Sequence, residues 1–253
     1  MDRARFRDEG TARVAERRLR QWEIHTSQEH ASAQEEAALV HPYIAISRSV
    51  GSGGRTVADL LSQTLGWDVF DKEIVEHMAA DDGVRRRLYH LMDERRDNWL
   101  DAILRPIALG PGALRNDYFR RLRLAIATIA SQANAIFLGR GAGLLLPPEL
   151  GLHVRLIADR EQRIAAYAAR QNLDTLKATA EVDRIDRERE QFLTGHFGSV
   201  RDEAERYDLV VNMSNFTATQ AADLIESLLR QRVPLVQTDQ TTAQAAPDAP
   251  PGE

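Results

Sequence analysis

The chain has no cysteine. Disulfides, zinc–thiolate centres and cysteine nucleophiles are therefore excluded together. No apolar run approaches the ~20 residues that a membrane-spanning helix needs. The N-terminus, MDRARFRDEGTARVAERRLRQWE, mixes both charge signs and has no apolar core, so it does not read as a secretory signal. HExxH is absent, and the 7 histidines show no metal-ligand spacing. An excess of positive charge is missing too. A net charge of −5 argues against a surface that coats nucleic acid, although a local arginine cluster can still oppose the global sign around a small anion. These absences point to a cytoplasmic protein whose partners are small molecules, with no nucleic acid and no membrane among them.

What is present is ordinary for a globular protein: 253 residues, 43% of them apolar and 28% charged, enough for one domain or two. Residues 1–40 form a charged extension whose main large apolar side chains are Phe6, Leu19, Trp22 and Ile24. It fits a helix lying on the domain, a surface for a partner or a second copy, or a partly ordered tail. Residues 233–253 are polar and proline-rich and are expected to be disordered. Residues 41–232 lie between.

In that central stretch, short apolar runs alternate with amphipathic ones. Tyr43–Ser47, 67–71 (WDVFD), 135–138 (AIFL), 152–158 (LHVRLIA) and 207–213 (YDLVVNM) read as strands. Val57, Leu60, Leu61 and Leu65 recur at helical spacing. So do Phe119, Leu122, Ile126 and Ile129, and later Leu224, Ile225, Leu228 and Leu229. Residues 84–104 also look helical, and Thr217 or Thr219 is placed to cap the last helix. Such alternation implies an α/β fold with a parallel sheet covered on both faces. Ligands of such sheets bind beyond the carboxyl ends of the strands.

YIAISRSVGSGGRTVADLL, residues 43–61, runs from the first strand through a glycine cluster into a helix. Backbone N–H groups in such a turn approach phosphate oxygens closely, with a helix N-terminus behind them. The usual pattern, G-x-x-x-x-G-K-[ST], adds a lysine for the phosphates and a hydroxyl for magnesium. Here the lysine is missing. In one register Gly53 is the second motif glycine, Gly54 replaces the lysine and Arg55 replaces the hydroxyl residue. In the other the loop is one residue longer. Arg55 then supplies the charge and Thr56 the hydroxyl. The second register restores both groups and is the one the motif favours. A glycine-rich turn that binds nothing is the alternative to both.

ISRSVGSGGRTVADLLSQTLGWDVFDKEIV resembles the opening of the cytidylate kinase-like family, a branch of the P-loop nucleoside-monophosphate kinases. FLGRGAGLLL, DREQRI, DRIDRERE and YDLVVN are similar to its later segments, in the same order, over roughly residues 42 to 230. The resemblance implies a three-layer P-loop kinase-type fold with a five-stranded parallel sheet. It places a helical substrate-binding insertion between strands two and three, and a lid between strands four and five. It also implies that ATP, with magnesium, donates its γ-phosphoryl to a nucleoside monophosphate. Where well-characterised cytidylate kinases have an aspartate in GRD, this chain has Gly141 after Arg140. That departure and the missing lysine leave room for a nucleotide-binding or regulatory protein without turnover, or for a kinase of another small metabolite.

Roles follow on these terms. Gly51, Ser52, Gly53, Gly54, Arg55 and Thr56 would hold the ATP phosphates, with Thr56 on magnesium. Arg140, between two glycines at a strand end, would grip a phosphate bidentately or form a structural ion pair. Asp71 and Lys72 would face the acceptor, and Asp71 would equally serve as a helix cap. Arg184 and Arg189 would swing in from the lid, with Arg163 on the preceding helix in support. DRIDRERE reads otherwise as a solvated helix with Asp183–Arg187 and Arg184–Glu188 pairs. The segment at 196–198, HFG, reads as a hinge, and Phe119 and Tyr207 read as structural.

Overall fold

Five short apolar runs become five parallel strands in one sheet, ordered β2-β3-β1-β4-β5. The computed structural model describes residues 40–80, 117–197 and 204–233. The strands are β1 (Tyr43–Arg48), β2 (Asp68–Asp71), β3 (Ala135–Leu138), β4 (Gly151–Ile157) and β5 (Leu209–Asn212). β1 lies centrally: Tyr43 pairs with Ala135 on one side and Gly151 on the other, and Ile46 with Leu138 and Val154. Sheets buried on both faces read as unbroken apolar stretches, which is why YIAI is buried at every position. The three-layer α/β expectation is met.

The described helices are α1 (Gly54–Leu65), α2 (Lys72–Ala80), α3 (Asp117–Gln132), α4 (Arg160–Gln171), α5 (Thr175–Phe197) and α6 (Ala218–Arg232). Alternate β1 side chains go to opposite layers. Ile44 and Ile46 pack with Val57, Ala58 and Leu61 of α1 and with Ile225 and Leu229 of α6. Tyr43 and Ala45 pack with Ile74 and Met78 of α2 and with Leu122, Ile126 and Ile129 of α3. A third, smaller cluster joins Val50 to Ile164, Tyr167, Ala178 and Val182, so the glycine turn is sewn to α4 and α5. Thr217 caps α6 in a reciprocal pair with Gln220.

The helix at 84–104, most of the expected substrate-binding insertion, nearly all of the N-terminal extension and nearly all of the tail lie outside the described residues, as does Gly198 of HFG. Among the described residues, no helix is long and apolar enough to cross a membrane.

Candidate functional site: a glycine turn and two adjoining cavities

The chain turns from β1 into α1 through two left-handed glycines, Gly51 at φ 81° and Gly53 at φ 78°. Each conformation is easy for glycine and costly for other residues. Gly51 lies hard against α4, where a Cβ would come within 2.2 Å of the Arg163 carbonyl oxygen. Gly53 has open space around it and immediately precedes α1, which starts at Gly54 with no side-chain cap and no acidic residue in its first turn. The leading N–H groups of α1 therefore have no side-chain acceptor, the arrangement that favours an anion. Ser52 is buried and donates its hydroxyl to the Ser49 carbonyl (2.9 Å). The turn borders a concavity of about 170 Å³, into which Arg48, Arg55, Arg170 and Arg189 also extend.

Gly54, not Arg55, opens the helix. Arg55, one residue on, is already committed: its Nε donates to both Asp59 oxygens (3.0 and 3.1 Å) and its Nη1 to Asp71 Oδ2 (2.5 Å). Burial lowers the Arg55 pKa, but the two carboxylates reverse this and hold it above its usual value. The register that gives Arg55 the lysine's place is thus not the one the backbone adopts. Thr56 is exposed and lines neither cavity, so it is not positioned as the magnesium hydroxyl. Asp71 performs two tasks. Its Oδ1 accepts from the Ile74 N–H (3.1 Å), capping α2, while Oδ2 takes Arg55.

Arg48, at the end of β1, was given no role by motif reading. A Cβ on Gly54 would meet its Cβ and Cγ at 3.0 Å, and a Cβ on Gly139 would meet its Nη1 at 2.1 Å. Its side chain therefore passes between the start of α1 and the end of β3. Burial, then the charge of Arg189, lowers its pKa to about 9, with Glu73 and Asp71 opposing.

Arg163 supports the turn rather than facing the concavity. It donates from Nη1 to the Val50 carbonyl (3.2 Å) and to Asp186 Oδ2 (2.6 Å), and from Nε to the Ala158 carbonyl (3.1 Å). Asp186 Oδ1 in turn accepts the Val50 N–H (3.1 Å). All three of these Arg163 contacts are to protein atoms. The Asp183–Arg187 pair is corrected, since Asp183 binds Arg160 instead (2.8 Å). Arg184 pairs with Glu188 as expected and also with Glu181 (2.8 Å), and both carboxylates hold its pKa above the usual value. Arg189 donates to the Arg48 carbonyl (3.1 Å).

The G-R-G segment after β3 is a run of three left-handed residues, Gly139 at 92°, Arg140 at 57° and Gly141 at 69°. Arginine in this region is unusual, and such strain gathers at functional sites. Arg140 forms an ion pair with Glu76 and lies over the Phe192 ring, 4.6 Å from its centre. Its Nε is buried without a hydrogen-bond partner among the described residues. Gly141 has no room for a side chain: a Cβ would meet the Phe197 ring at 2.6 Å. The HFG segment does not break the chain before Gly198. α5 continues through Phe197, and His196 stacks on Phe119 at 4.1 Å.

Beside the glycine turn lies a larger cavity of about 520 Å³. Lys72, Arg140, Arg184 and Phe192 line it together with polar side chains from β1, from within β4 and from just before β5: Ser47, His153, Arg155 and Tyr207. Arg155 donates to Ser47 Oγ (3.0 Å), and the His153 and Tyr207 rings meet at 4.6 Å. Tyr207, read from sequence as structural, thus borders the cavity. The two cavities share Arg48, Glu73 and Arg189. No group of three or more metal-ligating side chains occurs among the described residues. That is compatible with magnesium, which needs only one or two carboxylates when phosphates supply the other oxygens.

Residues 43–215 match the model of the cytidylate kinase-like family. Among curated proteins none matches the chain. An uncharacterized protein from Eubacterium ventriosum ATCC 27560 is similar in structure, at 21% identity and TM-score 0.61, over 76% of this chain and 99% of that one. That likeness is one of fold. A shikimate kinase from Bacteroides thetaiotaomicron has 10% identity and TM-score 0.39, over 76% of this chain and 99% of its own. A dephospho-CoA kinase from Campylobacter jejuni has 14% identity and TM-score 0.34, over 78% and 99%. These two are too distant to bear on the site.

Proposed function

We propose, because the chain belongs to the cytidylate kinase-like family, that it transfers the γ-phosphoryl group of ATP to a nucleoside monophosphate such as CMP or dCMP. One observation carries the reading: an uncapped helix start behind two left-handed glycines opens onto a concavity ringed by arginines, and that concavity shares a wall with a larger one. The donor polyphosphate would occupy the first and the acceptor the second, whose volume suits a small organic ligand.

The chemistry asks for alignment and charge neutralisation more than for a base. An oxygen of the acceptor phosphate, already anionic near neutral pH, bonds to the γ-phosphorus. The bond from that phosphorus to the β-bridging oxygen breaks, and ADP and a nucleoside diphosphate result. Arg140 and Lys72 would hold the acceptor phosphate. Arg189 and Arg184 on α5 would neutralise charge from the other side. Magnesium, which supplies further neutralisation when bound with ATP, would be met by Glu73, which lines both cavities, rather than by Thr56.

A second reading has its own support. Arg55 and Arg140 are both engaged by carboxylates, and Gly141 leaves no space for the carboxylate of GRD. A protein that binds nucleotide without turnover fits those facts. A kinase of another small metabolite is a third reading with the same fold. Incubation with ATP–Mg and a panel of acceptors, with products quantified, separates them. Diphosphate formed from CMP or dCMP, and lost in Arg140→Ala, supports the first. Saturable ATP binding with no product on any acceptor supports the second, and product from non-nucleotide acceptors alone supports the third.

A further inference from the structure

The motif lysine is absent, yet the space it would fill is not empty. Gly54 is the first residue of α1, directly behind the turn glycine. A side chain leaving Gly54 would run into the stem of Arg48 at 3.0 Å. The two positions therefore crowd each other at their stems, and here the strand residue has the room.

Arg48 is also aimed. Its guanidinium passes Gly139, where even a methyl group would come within 2.1 Å of Nη1. It reaches a wall common to both cavities. Among the described residues no acceptor takes a hydrogen bond from that guanidinium. Burial and neighbouring Arg189 and Arg140 weigh against its charge, as the lowered pKa records. A cation whose charge is opposed by burial and by like charges gains from an arriving anion.

We propose that Arg48 supplies, from the end of β1, the cation that a P-loop lysine supplies from its helix, and that Gly54 and Gly139 lack side chains to let it through. It would bind the terminal phosphates of the donor from beneath the loop, at the wall facing the acceptor. The planar fork offers two parallel hydrogen bonds where an ammonium offers a point charge. This rests on the reading of the turn as a polyphosphate site.

The test is titration of the full chain with ATP–Mg and with inorganic tripolyphosphate, with melting temperature measured in parallel. R48M is expected to lose about tenfold or more in affinity for both ligands. G54K alone crowds two side chains into one space and is expected to lower both affinity and melting temperature. The reciprocal double variant R48G/G54K moves the cation from strand to helix and is expected to recover affinity to within about threefold of the starting protein. Unchanged affinity in R48M overturns the proposal by itself. So does a loss that merely follows a fall in melting temperature, or one that neither R48G/G54K nor R48K restores. A starting protein that binds neither ligand overturns the parent reading, and this one with it.

Discussion

Gly51 and Gly53 have nearly the same positive φ and very different surroundings. In Gly53→Ala the cost is the left-handed conformation alone, about 1–2 kcal/mol. In Gly51→Ala the new methyl group also meets the Arg163 backbone, which cannot swing aside. Chemical denaturation is expected to show Gly51→Ala as the more destabilising by at least about 1 kcal/mol. Equal losses would mean that the turn does not press on α4. His153 sets a different test. Burial pushes its imidazole down to about 4, with Arg155 adding to the effect and Asp208 opposing it. The unfolded chain takes up that proton near pH ~6.5, so between ~6.5 and 4 it holds more protons than the folded one. Stability should therefore fall as pH drops through that window. H153N should flatten that part of the melting-temperature profile; an unaltered slope would acquit His153. At this scale the site was only partly legible. The glycines announced the turn. Arg48 was hidden because motif matching counts positions along the chain, whereas its reach depends on two distant glycines that clear its path. Thr56 and Arg163 have chemistry that fits a phosphate, but neither lines either cavity.

β1 and β3 were legible as elements because YIAI and AIFL are buried at every position and so form unbroken apolar runs; β1 ends one residue later and β5, largely unburied, is shorter than the runs suggested. On α5 the Arg184–Glu188 pair was legible from its spacing, whereas the partners of Asp183 and Asp186 were not, since only the packing of α4 and the turn against α5 brings Arg160, Arg163 and Val50 to them. That packing gives α5 its importance. It is 23 residues long, and Asp186 near its middle holds both the Val50 N–H and Arg163. Asp186→Ala would leave a mostly buried guanidinium and an amide without this acceptor, at a cost of about 1–3 kcal/mol. Nucleotide affinity should fall with it, as the turn loosens. Thr217→Ala removes the α6 cap and should cost about 1 kcal/mol. Because α6 starts away from both cavities, nucleotide affinity should stay as it was. Loss of binding in Thr217→Ala, or its retention in Asp186→Ala, would reverse this assignment of which element serves the site.

Across the whole molecule, the central strand β1 runs between β3 and β4, and both cavities adjoin its last residue, Arg48. A ligand that settles there contacts several layers at once. ATP at about a hundredfold excess over its Kd should add about 2.7 kcal/mol of stability. For a domain of this size that is a rise of about 5–10 °C in melting temperature. CMP added afterwards should raise it further if the second cavity is the acceptor's, and should leave it unchanged if it is not.

Lys72 and Lys177 are the only lysines in the chain, and neither lies in the glycine turn. Acylating reagents, and enzymes that acetylate amines, therefore have no target at the bottom of the loop, although Lys72 offers them one at the neighbouring cavity. Dicarbonyl reagents, which combine with guanidines, would find several. Whatever silences this protein by covalent modification at the turn must speak to arginine, serine or threonine.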